Sequence, residues 1–170
     1  PARDAGIATG VIESTGKSRD ALWELLRAAA DAAMPDRVLL AGYMRILTPS
    51  VIRALPGRLI NIHPSLLPVF PGLEAQMQAH AANVRIAGCT THFVTDKVDG
   101  GPILMQAAVA IPPGATPEDV RLRILDAEHK LYPATVQLLA SGAARWEAGR
   151  VVFREALGAN RDVLISPGGA

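Results

Sequence analysis

The sequence predicts an α/β fold built on a mainly parallel, twisted sheet and closed by an antiparallel hairpin. Three observations predict it. Short apolar runs alternate with segments of helical spacing through the first half of the chain, the pattern of strands joined by crossover helices. The run RVLLA at 37–41 is apolar without alternation and ends in Gly42, as in a parallel strand buried on both faces. Towards the other end, residues 144–147 and 151–154 flank an Ala-Gly pair, a hairpin signal.

The elements follow in order. PARDAG at 1–6 has the form of a last helical turn, with Gly6 as its left-handed terminator and no helix body before it. With no initiator methionine at the start, this leads to the expectation of a truncated or processed polypeptide whose upstream elements are absent. Residues 7–12, interrupted by Thr9-Gly10, read as an edge strand. From Ser18, a cap, Leu22, Leu25, Leu26 and Ala29 fall at helical spacing until Pro35. After the 37–41 strand, Thr48 caps and Pro49 opens a short helix to about Leu55, and 58–62 is the next strand. A helix is expected over 75–82. Strands are expected at 89–95 and 103–111, joined by the turn-forming DKVDGGP at 96–102. Thr116-Pro-Glu-Asp119 starts a helix to Leu131, and Pro133 starts or kinks a second one to Ala140. Residues 166–170, SPGGA, are expected to form a loose tail.

Composition bounds the function. A chain of 170 residues with 49% hydrophobic and 19% charged residues is long and apolar enough for one folded domain. Its formal charge of +1 comes without blocks of like charge, so nothing argues for nucleic acid or a membrane surface. Small-molecule partners are favoured. The single cysteine, Cys89, excludes an internal disulfide and the usual structural zinc sets, which is compatible with a reducing cytoplasm. No apolar stretch approaches the roughly 20 residues of a membrane span, and no signal-peptide pattern opens the chain.

The chemistry-bearing residues sit where an α/β sheet binds ligands, outside the carboxyl ends of strands. NIHPSLLPVFPG at 61–72 carries Asn61 and His63 at one parity, so both side chains can point to the same side. A carboxamide N–H and an imidazole aimed at one point suit a carbonyl oxygen that acquires negative charge, and Pro64 and Pro68 stiffen the exit. The same pair can instead satisfy loop backbone groups. Asp99, in VDGGP at 98–102, is placed to favour a protonated His63, or is simply an Asp-Gly turn former. His92 is a candidate supporting partner or a satisfied sheet histidine, while His80 and His129 read as ordinary helix residues. Ser65 lacks a Gly-x-Ser-x-Gly elbow. His63, His92 and Asp99 lack compact zinc-ligand spacing.

Four strings together, LAGYMRIL at 40–47, NIHPSLLPVFPG at 61–72, THFVTDKVDGGPILMQ at 91–106 and AEHKLYP at 127–133, closely resemble the glycinamide ribonucleotide formyltransferase family. The resemblance runs from about Ala5 to Val151. It implies a Rossmann-like sheet of the formyltransferase type and a metal-free transfer of formyl from 10-formyltetrahydrofolate to a glycinamide amine. It further implies a cytoplasmic enzyme of purine biosynthesis, monomer or homodimer, without nucleic-acid or membrane partners. By matching positions, Asn61, His63 and Asp99 are the catalytic residues. Arg19, Met44, Arg45, Ile46, Leu47, Asn61 and the loop Thr95, Asp96, Lys97, Val98, Asp99 meet the folate, and Glu128 with His63 meets the nucleotide. The family's glycine- and serine-rich phosphate loop, with its first strand, helix and second strand, is expected to be absent, which would weaken the grip on a phosphate. The domain is expected over 1–157, with a flexible tail at 158–170. EAQM at 74–77 departs from the family's histidines and basic residue. Three other readings stay open: a formyltetrahydrofolate deformylase, a methionyl-tRNA formyltransferase without its basic C-terminal extension, and a folate-binding remnant.

Overall fold

The computed structural model describes residues 2–33 and 35–154, so the expected boundary at 157 and tail at 158–170 lie outside the described residues. The order of elements is α1 (Arg19–Ala33), β1 (Val38–Leu40), α2 (Pro49–Ala54), β2 (Leu59–His63), α3 (Ala75–Ala81), β3 (Ile86–Phe93), β4 (Ile103–Ala110), α4 (Pro117–Ala140), β5 (Ala144–Glu147) and β6 (Arg150–Phe153). Strands β1 to β4 form one sheet in chain order, and β5 and β6 form a separate hairpin.

The α/β class and the closing hairpin are as the sequence predicts. The sheet itself is mixed: β1 and β2 pair in parallel, whereas β2 with β3 and β3 with β4 pair antiparallel. The segment 94–102 is too short for a crossover, so it returns the chain antiparallel. Three local expectations change. Residues 7–12 form no strand, and Ile7 and Val11 are exposed; an isolated strand with no ladder partner gains nothing to offset its ordering entropy. Among the described residues strand β1 lies at the edge of the sheet, with Leu39 exposed, and is not buried on both faces. Helix α4 continues through Pro133 as one element, because Leu131 and Thr135 on either side of the proline are both buried.

Local signals explain the rest. Ser18 Oγ accepts the Ala21 N–H at the start of α1. Residues 2–7 close as the end of a helical turn, with Ile7 N–H on Ala2 O and Gly6 N–H on Arg3 O, each at 2.9 Å, and Gly6 at φ 71. Thr116 and Asp119 form a reciprocal capping box at the head of α4.

Helix α4 covers one face of the sheet. Its Val120, Ile124, Ala127 and Leu131 pack with Ala87 and Cys89 of β3. Further along, Tyr132, Leu138 and Leu139 pack on Ile60, Phe93 and Leu104. The Tyr132 hydroxyl also donates to Leu40 O at 2.9 Å and Ile60 O at 3.2 Å, tying the helix to β1 and β2. A second cluster of Trp23, Leu47, Val51 and Leu59 joins α1 and α2 to the other face.

The β3–β4 turn depends on close backbone approach. A Cβ at Gly101 would collide with the Phe93 carbonyl, which cannot move without breaking the strand end, whereas a Cβ at Gly100 would meet only the flexible Lys97 side chain. Gly101→Ala should therefore lower stability in urea by about 2 kcal/mol or more. Gly100→Ala should cost less than about 1 kcal/mol. Equal losses would contradict this account of the turn.

Candidate active site

The β2–β3 register sets the site. It pairs Asn61 with His92 and His63 with Thr90, so these four side chains lie on the face opposite α4. A bulge between Thr91 and His92 shifts the β3–β4 register next to the site. The turn beyond it brings Asp99 back over β2, with Asp99 held at φ 48, a left-handed conformation that costs a non-glycine residue on the order of 1 kcal/mol.

Asp99 is the hub of the polar contacts. Its Oδ2 accepts the Gly72 N–H at 2.8 Å and lies 3.4 Å from His63 Nδ1. Its Oδ1 lies 3.7 Å from His92 Nε2. His63 Nε2 donates to Phe70 O at 2.9 Å, so both ring nitrogens of His63 face oxygen acceptors. His92 donates from Nδ1 to Phe93 O at 3.0 Å, and its Nε2 lies 3.4 Å from Asn61 Nδ2.

The loop after His63 is held by one threonine. Thr90 Oγ1 donates to Ser65 O at 2.7 Å and accepts from Leu67 N–H at 3.0 Å and Gln106 Nε2 at 2.9 Å. Three bonds saturate the hydroxyl, which is fully buried. Ser65 Oγ donates to Val69 O, so this serine serves the loop and does not pair with His63.

Asn61, His63, Gly72, His92 and Asp99 line one cleft of about 820 Å³, within the range that holds a drug-sized ligand. The structure brings together Asn61, His63, Asp99, Met44, Arg45, Ile46, Leu47, Thr95, Asp96, Lys97, Val98 and Glu128 around it. Met44 and Ile46 are 70% and 62% exposed; large apolar side chains held open beside a cleft mark a binding surface. Leu47 is buried in the α1–α2 cluster and reaches the cleft from there. Arg19 opens α1, and its side chain is not among those described. Among residues that sequence reasoning left aside, Tyr43, Leu73, Gln76, His129 and Tyr132 also line the cleft, as does His92, read from the sequence as a supporting partner or a satisfied sheet histidine. The one usable signal was the spacing of Glu128 and Tyr132 along α4, four apart and on one helical face. His80 instead bonds Ala115 O at 3.1 Å.

Burial governs the titrations. It pushes the Glu128 carboxyl up, partly offset by His129, and raises the Tyr132 phenol, with the Leu40 carbonyl opposing. Cys89 is pushed up to about 12 by burial and then by Glu128, so it is an inert core thiol. His92 is held below its ordinary 6.5 mainly by burial, with the Phe93 carbonyl and Asp99 opposing and His63 adding to the depression.

The formyl transferase profile matches residues 1–136. The chain belongs to the formyl transferase family. It is 44% identical over 142 residues to the phosphoribosylglycinamide formyltransferase of Escherichia coli strain K12, covering 83% of this chain and 67% of that enzyme. It is also 44% identical over 154 residues to the bovine trifunctional purine biosynthetic protein adenosine-3, covering 89% of this chain and 15% of that protein. The crystal structure of glycinamide ribonucleotide transformylase 1 from Symbiobacterium toebii superposes with a TM-score of 0.83 at 48% identity, covering 89% of this chain and 72% of that one. No helix among the described residues is long and apolar enough to cross a membrane.

The depressed His92 value carries a pH prediction. Below about 6.5 the unfolded chain takes up a proton at this position that the folded chain refuses. His92's part in stability is therefore complete above pH 6.5 and declines as pH falls from there towards the folded-state value. Urea midpoints measured across that window should fall less steeply in His92→Gln than in the wild type; identical slopes would contradict the buried, neutral ring.

Proposed function

We propose that this chain carries the formyl-transfer centre of a phosphoribosylglycinamide formyltransferase, moving formyl from 10-formyltetrahydrofolate to the amine of glycinamide ribonucleotide in purine biosynthesis. The observation that carries this reading is the convergence of Asn61, His63 and Asp99 at the wall of one cleft that apolar side chains such as Met44, Ile46 and Leu47 also line, in a chain whose relatives are such enzymes.

The chemistry needs little more than these groups. The amine nitrogen bonds to the formyl carbon, whose oxygen becomes an oxyanion. Asn61 Nδ2 and His63 are the donors that stabilise it. A doubly protonated His63 ring satisfies Phe70 O and Asp99 together, and the looser 3.4 Å contact to Asp99 is the one a substrate oxygen can share. The tetrahedral centre then collapses: the carbon–N10 bond breaks, the attacking nitrogen gives up a proton, and N10 receives one, with His63 in reach as carrier. Asp99 keeps the ring oriented. Met44, Ile46 and Leu47 with the loop Thr95, Asp96, Lys97, Val98 and Asp99 flank the pterin. Arg45 answers a folate carboxylate, and Glu128 accepts from nucleotide hydroxyls. The reading extends to a cytoplasmic enzyme acting on small molecules, as a monomer or homodimer.

One assay tests it. The chain is incubated with a 10-formyl folate, and release of the folate is followed with and without glycinamide ribonucleotide. Release only with the nucleotide is expected. Release with water alone would assign a deformylase instead, and binding without release a folate-binding remnant. Asn61→Ala should lower kcat by on the order of 100- to 1000-fold, and His63→Ala should abolish transfer while the folate still binds. Near-normal turnover in the His63 variant would remove it from the mechanism.

A further inference from the structure

His92 sits between two groups to which the proposed mechanism gives work, yet that mechanism assigns it none. It is opposite Asn61 in the β2–β3 ladder, is 2% exposed, and its ring contacts are specific. Nδ1 lies 3.0 Å from the Phe93 carbonyl, which can only accept, so Nδ1 carries a proton. In a neutral ring Nε2 is then a lone pair. The group facing that lone pair is the Asn61 carboxamide at 3.4 Å. Only its NH₂ end can answer a lone pair; the carbonyl end would be repelled.

We infer that His92 is a positioning residue: as the neutral Nδ1–H tautomer it accepts one N–H of Asn61 and so keeps the carboxamide turned with its second N–H available to the reacting carbonyl oxygen. This rests on the reading of Asn61 as an oxyanion donor. A free asparagine side chain presents its oxygen and its nitrogen with similar ease, and an amide oxygen aimed at an oxyanion repels it. Orientation therefore decides whether Asn61 helps or hinders. Asp99 Oδ1, 3.7 Å from the same Nε2, marks the alternative: a charged His92 would donate to Asp99 and release the carboxamide. Burial away from water keeps the ring neutral.

Two measurements on the full chain test the inference, one without turnover. Long-range proton–nitrogen NMR at neutral pH should show His92 protonated at Nδ1 and bare at Nε2, with one Asn61 amide proton protected from exchange. The opposite tautomer, or a charged ring, would overturn the inference. In kinetics, His92→Asn keeps a donor for Phe93 O but loses the acceptor for Asn61. It should lower kcat about tenfold with the folate KM unchanged, within the coupling found inside one hydrogen-bond network. His92→Gln, whose carbonyl can stand near the Nε2 position, should recover most of that loss. In an Asn61→Ala background, His92→Asn should add less than about twofold. An undiminished kcat in His92→Asn, or a full additional loss in the double variant, overturns the inference while Asn61→Ala alone still falls as expected. Unchanged turnover in Asn61→Ala overturns the oxyanion reading instead, and this inference with it.

Discussion

The register between β2 and β3 is the constraint on which the rest of the site depends. Because side chains alternate along a strand, one register places Asn61 against His92 and His63 against Thr90 on the same face, and a slip of one residue would turn all of them onto the face that α4 covers. That slip is prevented by the apolar residues of the opposite parity. Ile60 and Phe93, both fully buried, pair across the two strands and pack beneath the hairpin and α4. The hydrophobic core thus sets the chemistry's geometry without touching it.

The polar face carries its own cost. His63, His92, Ser65 and Thr90 are all buried, and unsatisfied polar groups there would each cost about 1–3 kcal/mol. Each finds a partner in the loop or the neighbouring strand. Asp99 joins the loop at Gly72 to both imidazoles, and its left-handed backbone is held in place by the tight passage of Gly101 beneath Phe93. Backbone strain and buried polar groups are thereby concentrated at the place where the proposed reaction needs fixed dipoles.

How much of this was legible in the sequence depended on distance along the chain. The parity of Asn61 and His63 at a strand end, and the display of Asp99 on an Asp-Gly-Gly-Pro turn, are local patterns, and the structure brings these residues together. What could not be read is what long-range pairing decides. The saturation of Thr90 by Ser65, Leu67 and Gln106 joins residues far apart in sequence. The contact of His92 with Asn61 follows from a register that no short motif announces. Local reading also overreached where tertiary context decides: residues 7–12 have strand composition but form none, and no second helix starts at Pro133, which lies inside α4.

The central claim is that the cleft wall at Asn61 and His63 is built for a tetrahedral oxyanion. The most direct test is a crystal structure of the protein with a folate analogue whose N10 substituent ends in a hydrated carbonyl, a stable mimic of that centre. The account predicts one hydrate oxygen about 2.7–3.1 Å from both Asn61 Nδ2 and a His63 ring nitrogen. A one-carbon group bound elsewhere in the cleft, with Asn61 still engaged only with His92 and His63 only with Phe70 and Asp99, would contradict it.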